Sequence, residues 1–120
     1  MPDLGKRDRI ALIEIVEAAD LVADFTSGFD LDQFLADART CNAAAMQVLV
    51  LTEASVHLSD AAKESLGELP WGQIRGLRNR IAHGYLTIDF AQLWEIATGD
   101  VPDLARVARR VLGDDPDLRV

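Results

Sequence analysis

LGKRDRIALIEIVEAADLVADF, residues 4–25, repeats its apolar side chains at a helical period. Leu12, Ile15, Val16, Ala19, Val22 and Ala23 fall at the i, i+3, i+4, i+7 spacing of one face, while Glu14, Glu17, Asp20 and Asp24 lie largely off it. This predicts a long amphipathic helix, broken by Thr26-Ser27-Gly28. Asp30 is placed to cap a second helical stretch, kinked before it runs on to about Leu58. The middle of that stretch, CNAAAMQVLVLTEA, is apolar over more than one stripe, the mark of a helix buried on two sides. In a chain of this size the second side suits a partner subunit.

Ser59-Asp60 opens a short helix to about Leu66, and residues 67–70 form a loop. Trp71 to His83 reads as the third main helix, with Trp71, Ile74, Leu77, Arg78 and Ile81 on one face and Gly84 at the C′ position. A short helix is expected from about Asp89 to Ala97. Thr98-Gly99-Asp100 and Pro102 then separate it from a last helix over about 103–112. No segment alternates like a strand. The fold class expected is all-α: an antiparallel bundle of four to five helices filling one domain, 1–113, with a loose tail at 114–120.

With 120 residues, 49% of them hydrophobic, the chain has enough apolar material for a core without disulfides or metals. Cys41 is its only cysteine, which rules out an internal disulfide and a cysteine-based metal site. MPDLGKRDRI lacks the apolar centre of a signal peptide, and no run of about 18 apolar residues exists. A cytoplasmic protein without a membrane span is expected.

The formal charge of −8 argues against a protein that coats nucleic acid through general electrostatics. Charge is unevenly spread, however. Residues 1–70 carry 13 acids against five bases, whereas no acid occurs between Leu69 and Ile88, where Arg75, Arg78 and Arg80 stand. Within that run, RNRIAHGY (78–85) adds an amide, a histidine and a tyrosine. A local basic island bearing a histidine suits phosphate chemistry. Cleaving RNA without a metal requires a base for the 2′-hydroxyl, an acid for the leaving oxygen and positive charge on the phosphorane.

On one straight helix Arg78 and His83 diverge by about 140° and stand about 7.5 Å apart along the axis. They converge only if His83 lies in a fraying last turn, or if two copies of the helix face each other across a twofold axis. A dimer would also supply two histidines, one as acid and one as base, with Arg78 carrying the charge term. Taken singly, each residue has a plainer role. His83 before Gly84 is a common capping device, the arginines suit a solvated or ion-paired face, Asn79 braces a turn, and Tyr85 packs its ring.

In order and spacing, Arg78, Asn79 and His83 resemble the motif of the HEPN superfamily: an arginine, a polar residue, three variable residues and a histidine. Tyr85, two residues on, is similar to the HepT branch in particular. The resemblance runs from Trp71 to Leu104 (WGQIRGLRNRIAHGYLTIDFAQLWEIATGDVPDL) and extends to DRIALIEIVEAADLV and DQFLADARTCNAAAMQVLVLTEASVHLS. It implies an all-helical homodimer acting as a metal-independent endoribonuclease toxin of a prokaryotic toxin–antitoxin pair. Arg78 and His83 are then catalytic, with Asn79 supporting them in a cleft between subunits. The resemblance also implies an MntA-type nucleotidyltransferase antitoxin that transfers AMP from ATP to Tyr85. A bulky anion there would block the cleft and repel RNA phosphate. The alternative is a HEPN-type dimer that binds RNA or a nucleotidyltransferase partner without cutting.

Arg75 and Arg80 are candidate RNA contacts. Glu53 reads as a helix-surface glutamate able to orient an arginine, and it falls outside the catalytic set. His57 pairs with Glu53 at i−4 and has no ligand-spaced companions, so neither a metal nor another cofactor is expected. Cys41, Trp71 and Trp94 read as packing residues, and Arg106, Arg109 and Arg110 as a solvated basic edge.

Overall fold

The long amphipathic stretch forms helix α1 (Lys6–Thr26), with Leu12, Ile15, Ala19 and Val22 buried as the period requires, joined by Ala11 and Ala18. Ala23 departs from expectation and is exposed, at the edge of the stripe. The structure, a computed structural model, describes residues 4–113; the tail expected at 114–120 lies outside them. Gly28 takes φ +80°, a conformation that L side chains rarely adopt, and so turns the chain after α1.

Asp30 caps α2 (Leu31–Ala36) through a reciprocal box: its carboxylate accepts from the Gln33 N–H, and the Gln33 side chain accepts from the Asp30 N–H. The expected kink lies at Asp37, whose extended backbone ends α2 while its side chain accepts from Thr40 N–H to start α3 (Ala38–Val56). Helix α3 buries Cys41, Ala44, Ala45, Val48, Leu51 and Ala54. Ser59 caps α4 (Asp60–Leu66) and is itself gripped from α1. Its N–H and hydroxyl both donate to the buried Asp8 carboxylate, at 2.9 and 2.6 Å. Helix α5 spans Trp71–His83, followed by a short 3-10 turn over Tyr85–Thr87. Asp89 caps α6 (Phe90–Glu95), accepting from the N–H groups of Ala91 and Gln92.

The expected break at residues 98–102 is absent. Helix α6 runs through a π turn (Ile96–Asp100) directly into α7 (Val101–Gly113). The wider turn explains why Pro102 is tolerated: i→i+5 pairing relaxes the backbone where proline lacks an N–H and would crowd the carbonyl four residues back. Thr98 adds a side-chain bond to the Trp94 carbonyl. The fold is all-α, as expected, with seven α-helical segments among the described residues; the kink at Asp37 divides the second expected stretch, and the π turn joins the last two.

Helix α1 packs on α3 and α7, and α5 packs chiefly on α3. The core between them holds Leu12, Ile15, Val22, Phe34, Val48 and Leu93, each at most 1% exposed. Phe34 and Trp94 meet with ring centroids 5.0 Å apart. Cys41 packs in the core as expected, its thiol donating to the Phe34 carbonyl; burial, and then Asp37, push its pKa up. No described helix is long and apolar enough to cross a membrane.

Candidate functional site

Helices α3 and α5 lie side by side; α5 carries Arg78, Asn79 and His83, and α3 meets Arg78 with Glu53. Arg78 is built in by three hydrogen bonds. Its Nε donates to Glu53 Oε2 at 2.6 Å and its Nη2 to Glu53 Oε1 at 3.0 Å, a bidentate fork between α5 and α3. Its Nη1 donates to Asn79 Oδ1 at 2.9 Å. A guanidinium has five N–H groups, so two remain for a ligand. The side chain is 30% exposed, held in place yet reachable from solvent.

The charges reinforce this geometry. The hydrogen bond from Arg78, with the positive charge behind it, lowers the Glu53 carboxyl pKa, with a further contribution from His57. The same carboxylate raises the Arg78 pKa and keeps it cationic. His57 Nε2 lies 3.5 Å from Glu53 Oε1, the i,i+4 contact expected from sequence. Glu53 is thus a surface residue, as read from sequence, but its chief partner is Arg78, 25 residues away. Its place as a lone carboxylate inside the apolar CNAAAMQVLVLTEA run is what marks it in the sequence as able to orient an arginine.

His83 occupies the last turn of α5 and is exposed; its side chain makes no hydrogen bond or ion pair among the described residues. It does not meet Arg78 within the chain, as the helix geometry requires. Gly84 was expected to close the helix as a left-handed C′ residue. It instead takes φ −136°, with its N–H bonded to the Arg80 carbonyl at 2.8 Å. The reason for glycine here is space: a Cβ would stand 3.0 Å from Thr87 Oγ1 and 3.4 Å from the Arg80 carbonyl oxygen. The backbone at Tyr85 begins the 3-10 turn, and its side chain lies outside the described residues.

Arg80 donates to Gln92 Oε1 at 3.0 Å, and Arg75 is exposed on α5. On α7, Arg106 pairs with Asp103 and Arg109 with Asp20 of α1, so this face is largely ion-paired, in keeping with the plainer reading. Trp71 is half-buried beneath the Lys63 ammonium, 5.8 Å from its ring centroid. What the chain brings together is therefore a cation positioned by an acid and an amide, with an exposed imidazole further along the same helix.

The chain is similar to a described family and to several known proteins. The profile of the family described as Ribonuclease HepT-like matches residues 15–111. A Methanocaldococcus jannaschii protein named as a candidate RNase is 32% identical over 86% of this chain and 95% of its own length. A Thermococcus cleftensis protein named "Probable ribonuclease HepT" is 30% identical over 78% of this chain and 84% of its own. Another protein named as a candidate RNase, from Caldanaerobacter subterraneus subsp. tengcongensis, is 22% identical over 89% of this chain and 96% of its own. No solved structure matches the chain significantly.

Proposed function

The chain belongs to the HepT-like ribonuclease family, and from that premise we propose that it is a metal-independent endoribonuclease toxin acting as a homodimer. The observation that carries the reading is the fork from Arg78 to Glu53, which fixes one edge of the guanidinium and, with the Asn79 contact counted, leaves two of its five N–H groups for an anion. Positive charge positioned in advance is what a phosphorane needs, since it gains negative charge as it forms.

In the proposed reaction one His83 imidazole removes the 2′-hydroxyl proton. The 2′-oxygen attacks phosphorus, and the P–O5′ bond breaks. The 5′-oxygen then takes a proton from the imidazolium of the second subunit's His83. The products are a 2′,3′-cyclic phosphate and a 5′-hydroxyl, and the two imidazoles end in exchanged protonation states. Arg78, with Asn79 bracing its Nη1, stabilises the phosphorane charge. Arg75 and Arg80 lie on the same helix and are read as contacts to flanking phosphates.

The dimer is supported by two features. His83 has no side-chain partner among the described residues. The outward ridge of α3 leading to Glu53 leaves Met46 56% and Val50 37% exposed, an apolar strip that a second copy would cover. The regulatory part of the proposal is that an MntA-like nucleotidyltransferase antitoxin silences the enzyme by transferring AMP to Tyr85.

The test is induced expression of wild type, Arg78→Ala and His83→Ala in a bacterial host, with growth and total RNA followed together. Growth arrest and RNA cleavage by wild type alone, with all three proteins folded and equally dimeric, is the expected result. Intact RNA and equal growth for all three would overturn the reading in favour of a non-catalytic binding module.

A further inference from the structure

Helix α5 has a second side, turned away from Glu53, and it is open. Between α3, α5, the π turn and the start of α7 lies a cavity of about 270 Å³ with a floor of buried Val48, Leu51, Leu77, Val101 and Leu104. A second cavity, toward Arg80 and Glu95, shares Gln73, Leu77, Ile96 and Asp100 with it, so the two form one continuous groove along α5. The rim of the first cavity is acidic. Glu68, Asp100 and Asp103 are all exposed there, and no lysine or arginine lines it. Asp103 is paired with Arg106, which leaves Glu68 and Asp100 as the carboxylates without a hydrogen-bond or ion-pair partner among the described residues.

An apolar floor under an acidic rim selects by charge. RNA is repelled by it. A second copy of this chain is already placed on the Met46–Val50 strip of α3 by the proposed dimer, and its formal charge of −8 does not draw it to an acidic rim. The chain's own last seven residues set three aspartates against Arg119 and have the wrong sign as well. We infer that this groove is a docking site for a segment of a second protein that presents bulky apolar side chains flanked by lysine or arginine. The apolar side chains fill the space between Leu77 and Leu104, and the basic flanks meet Glu68 and Asp100. The inference uses none of the proposed catalytic residues, and of the proposed RNA contacts only Arg80 borders the groove, at its second cavity.

The test uses the full chain and three labelled helical peptides of equal length, read by fluorescence anisotropy. One is built from Leu and Lys, one from Leu and Glu, and one from Ser and Lys. The Leu/Lys peptide is expected to bind at least tenfold more tightly than either of the others. Reversing the rim (Glu68→Lys with Asp100→Lys) should weaken it at least tenfold. Reversing two exposed α1 carboxylates instead (Glu14→Lys with Glu17→Lys) changes net charge equally and should alter binding less than twofold. Gln73→Trp, which fills the groove from an exposed α5 position, provides the same test if the rim variant does not fold. Equal losses from the rim and α1 pairs would overturn the proposal in favour of general attraction to an acidic protein. So would equal binding of the Ser/Lys peptide. Dissociation of a dimer by the Leu/Lys peptide would also overturn it and assign the groove to contact between copies.

Discussion

Glu53→Gln tests whether the fork to Arg78 does the positioning that the proposed chemistry needs. The carboxylate accepts two of the three hydrogen bonds that hold the guanidinium, at 2.6 and 3.0 Å. A glutamine of the same length offers one carbonyl oxygen, and its amide turns an N–H toward the other guanidinium donor. At best one weaker neutral bond replaces a charged fork, and only the Asn79 contact remains unchanged. A guanidinium free to move by about 1 Å should lower kcat by about 10- to 100-fold on a fixed RNA substrate, with the dimer intact and KM little changed. Because the effect runs through Arg78, it should vanish in its absence: Glu53→Gln with Arg78→Ala should match Arg78→Ala alone. Single-turnover cleavage of one labelled RNA by the four proteins completes the cycle. Wild-type rates for Glu53→Gln, or a further full loss in the double variant, would refute the positioning argument.

The Glu53 shift also has a sign. A carboxyl with a folded-state pKa below its ordinary value of 4.5 contributes stability that is fully present above that value and lost as pH falls through the lowered one. The stability gap between wild type and Glu53→Gln in urea titrations should therefore be constant near neutrality and close below about pH 4.5. Asp8→Ala removes both bonds that tie Ser59 to α1; it should lower stability by about 2–4 kcal/mol and the melting temperature by about 10 °C, and a shift below about 2 °C would contradict it. Gly84→Ala should destabilise through the 3.0 Å approach to Thr87 Oγ1, and urea unfolding should show that penalty reduced in a Thr87→Ala background. Cys41, buried and with its pKa raised, should react with iodoacetamide at least about 100-fold more slowly in the native protein than in urea.

Local signals carried most of the fold. Asp30, Ser59 and Asp89 each cap a helix through a side chain acting within three residues, so the sequence alone places those starts. Helix α5 begins and ends at the residues its pattern indicates. The π turn was illegible because Thr98-Gly99-Asp100 before a proline has the composition of a break, and only packing on both sides keeps the helix continuous. At Gly84 the residue type was informative but its reason was not, since crowding by Thr87 depends on the turn that follows. The site divided in the same way. Motif spacing located Arg78, Asn79 and His83, whereas the partnership with Glu53 crosses 25 residues and exists only once α3 and α5 pack. The groove beside α5 had no sequence signature, because its floor and rim come from three separate stretches of chain.

Helix α5 buries only Leu77 and Ile81 fully, while α1 buries eight residues. Peeling α5 away from α3 would re-expose those two side chains at about 3–6 kcal/mol, at or below the usual 5–15 kcal/mol for unfolding a domain. Amide hydrogens of α5 should then exchange with solvent through a local opening that leaves α1, α3 and α7 protected. Arg78 and His83 ride on that detachable segment. In the proposed reaction, losing its grip would stop cleavage with the rest of the bundle still folded.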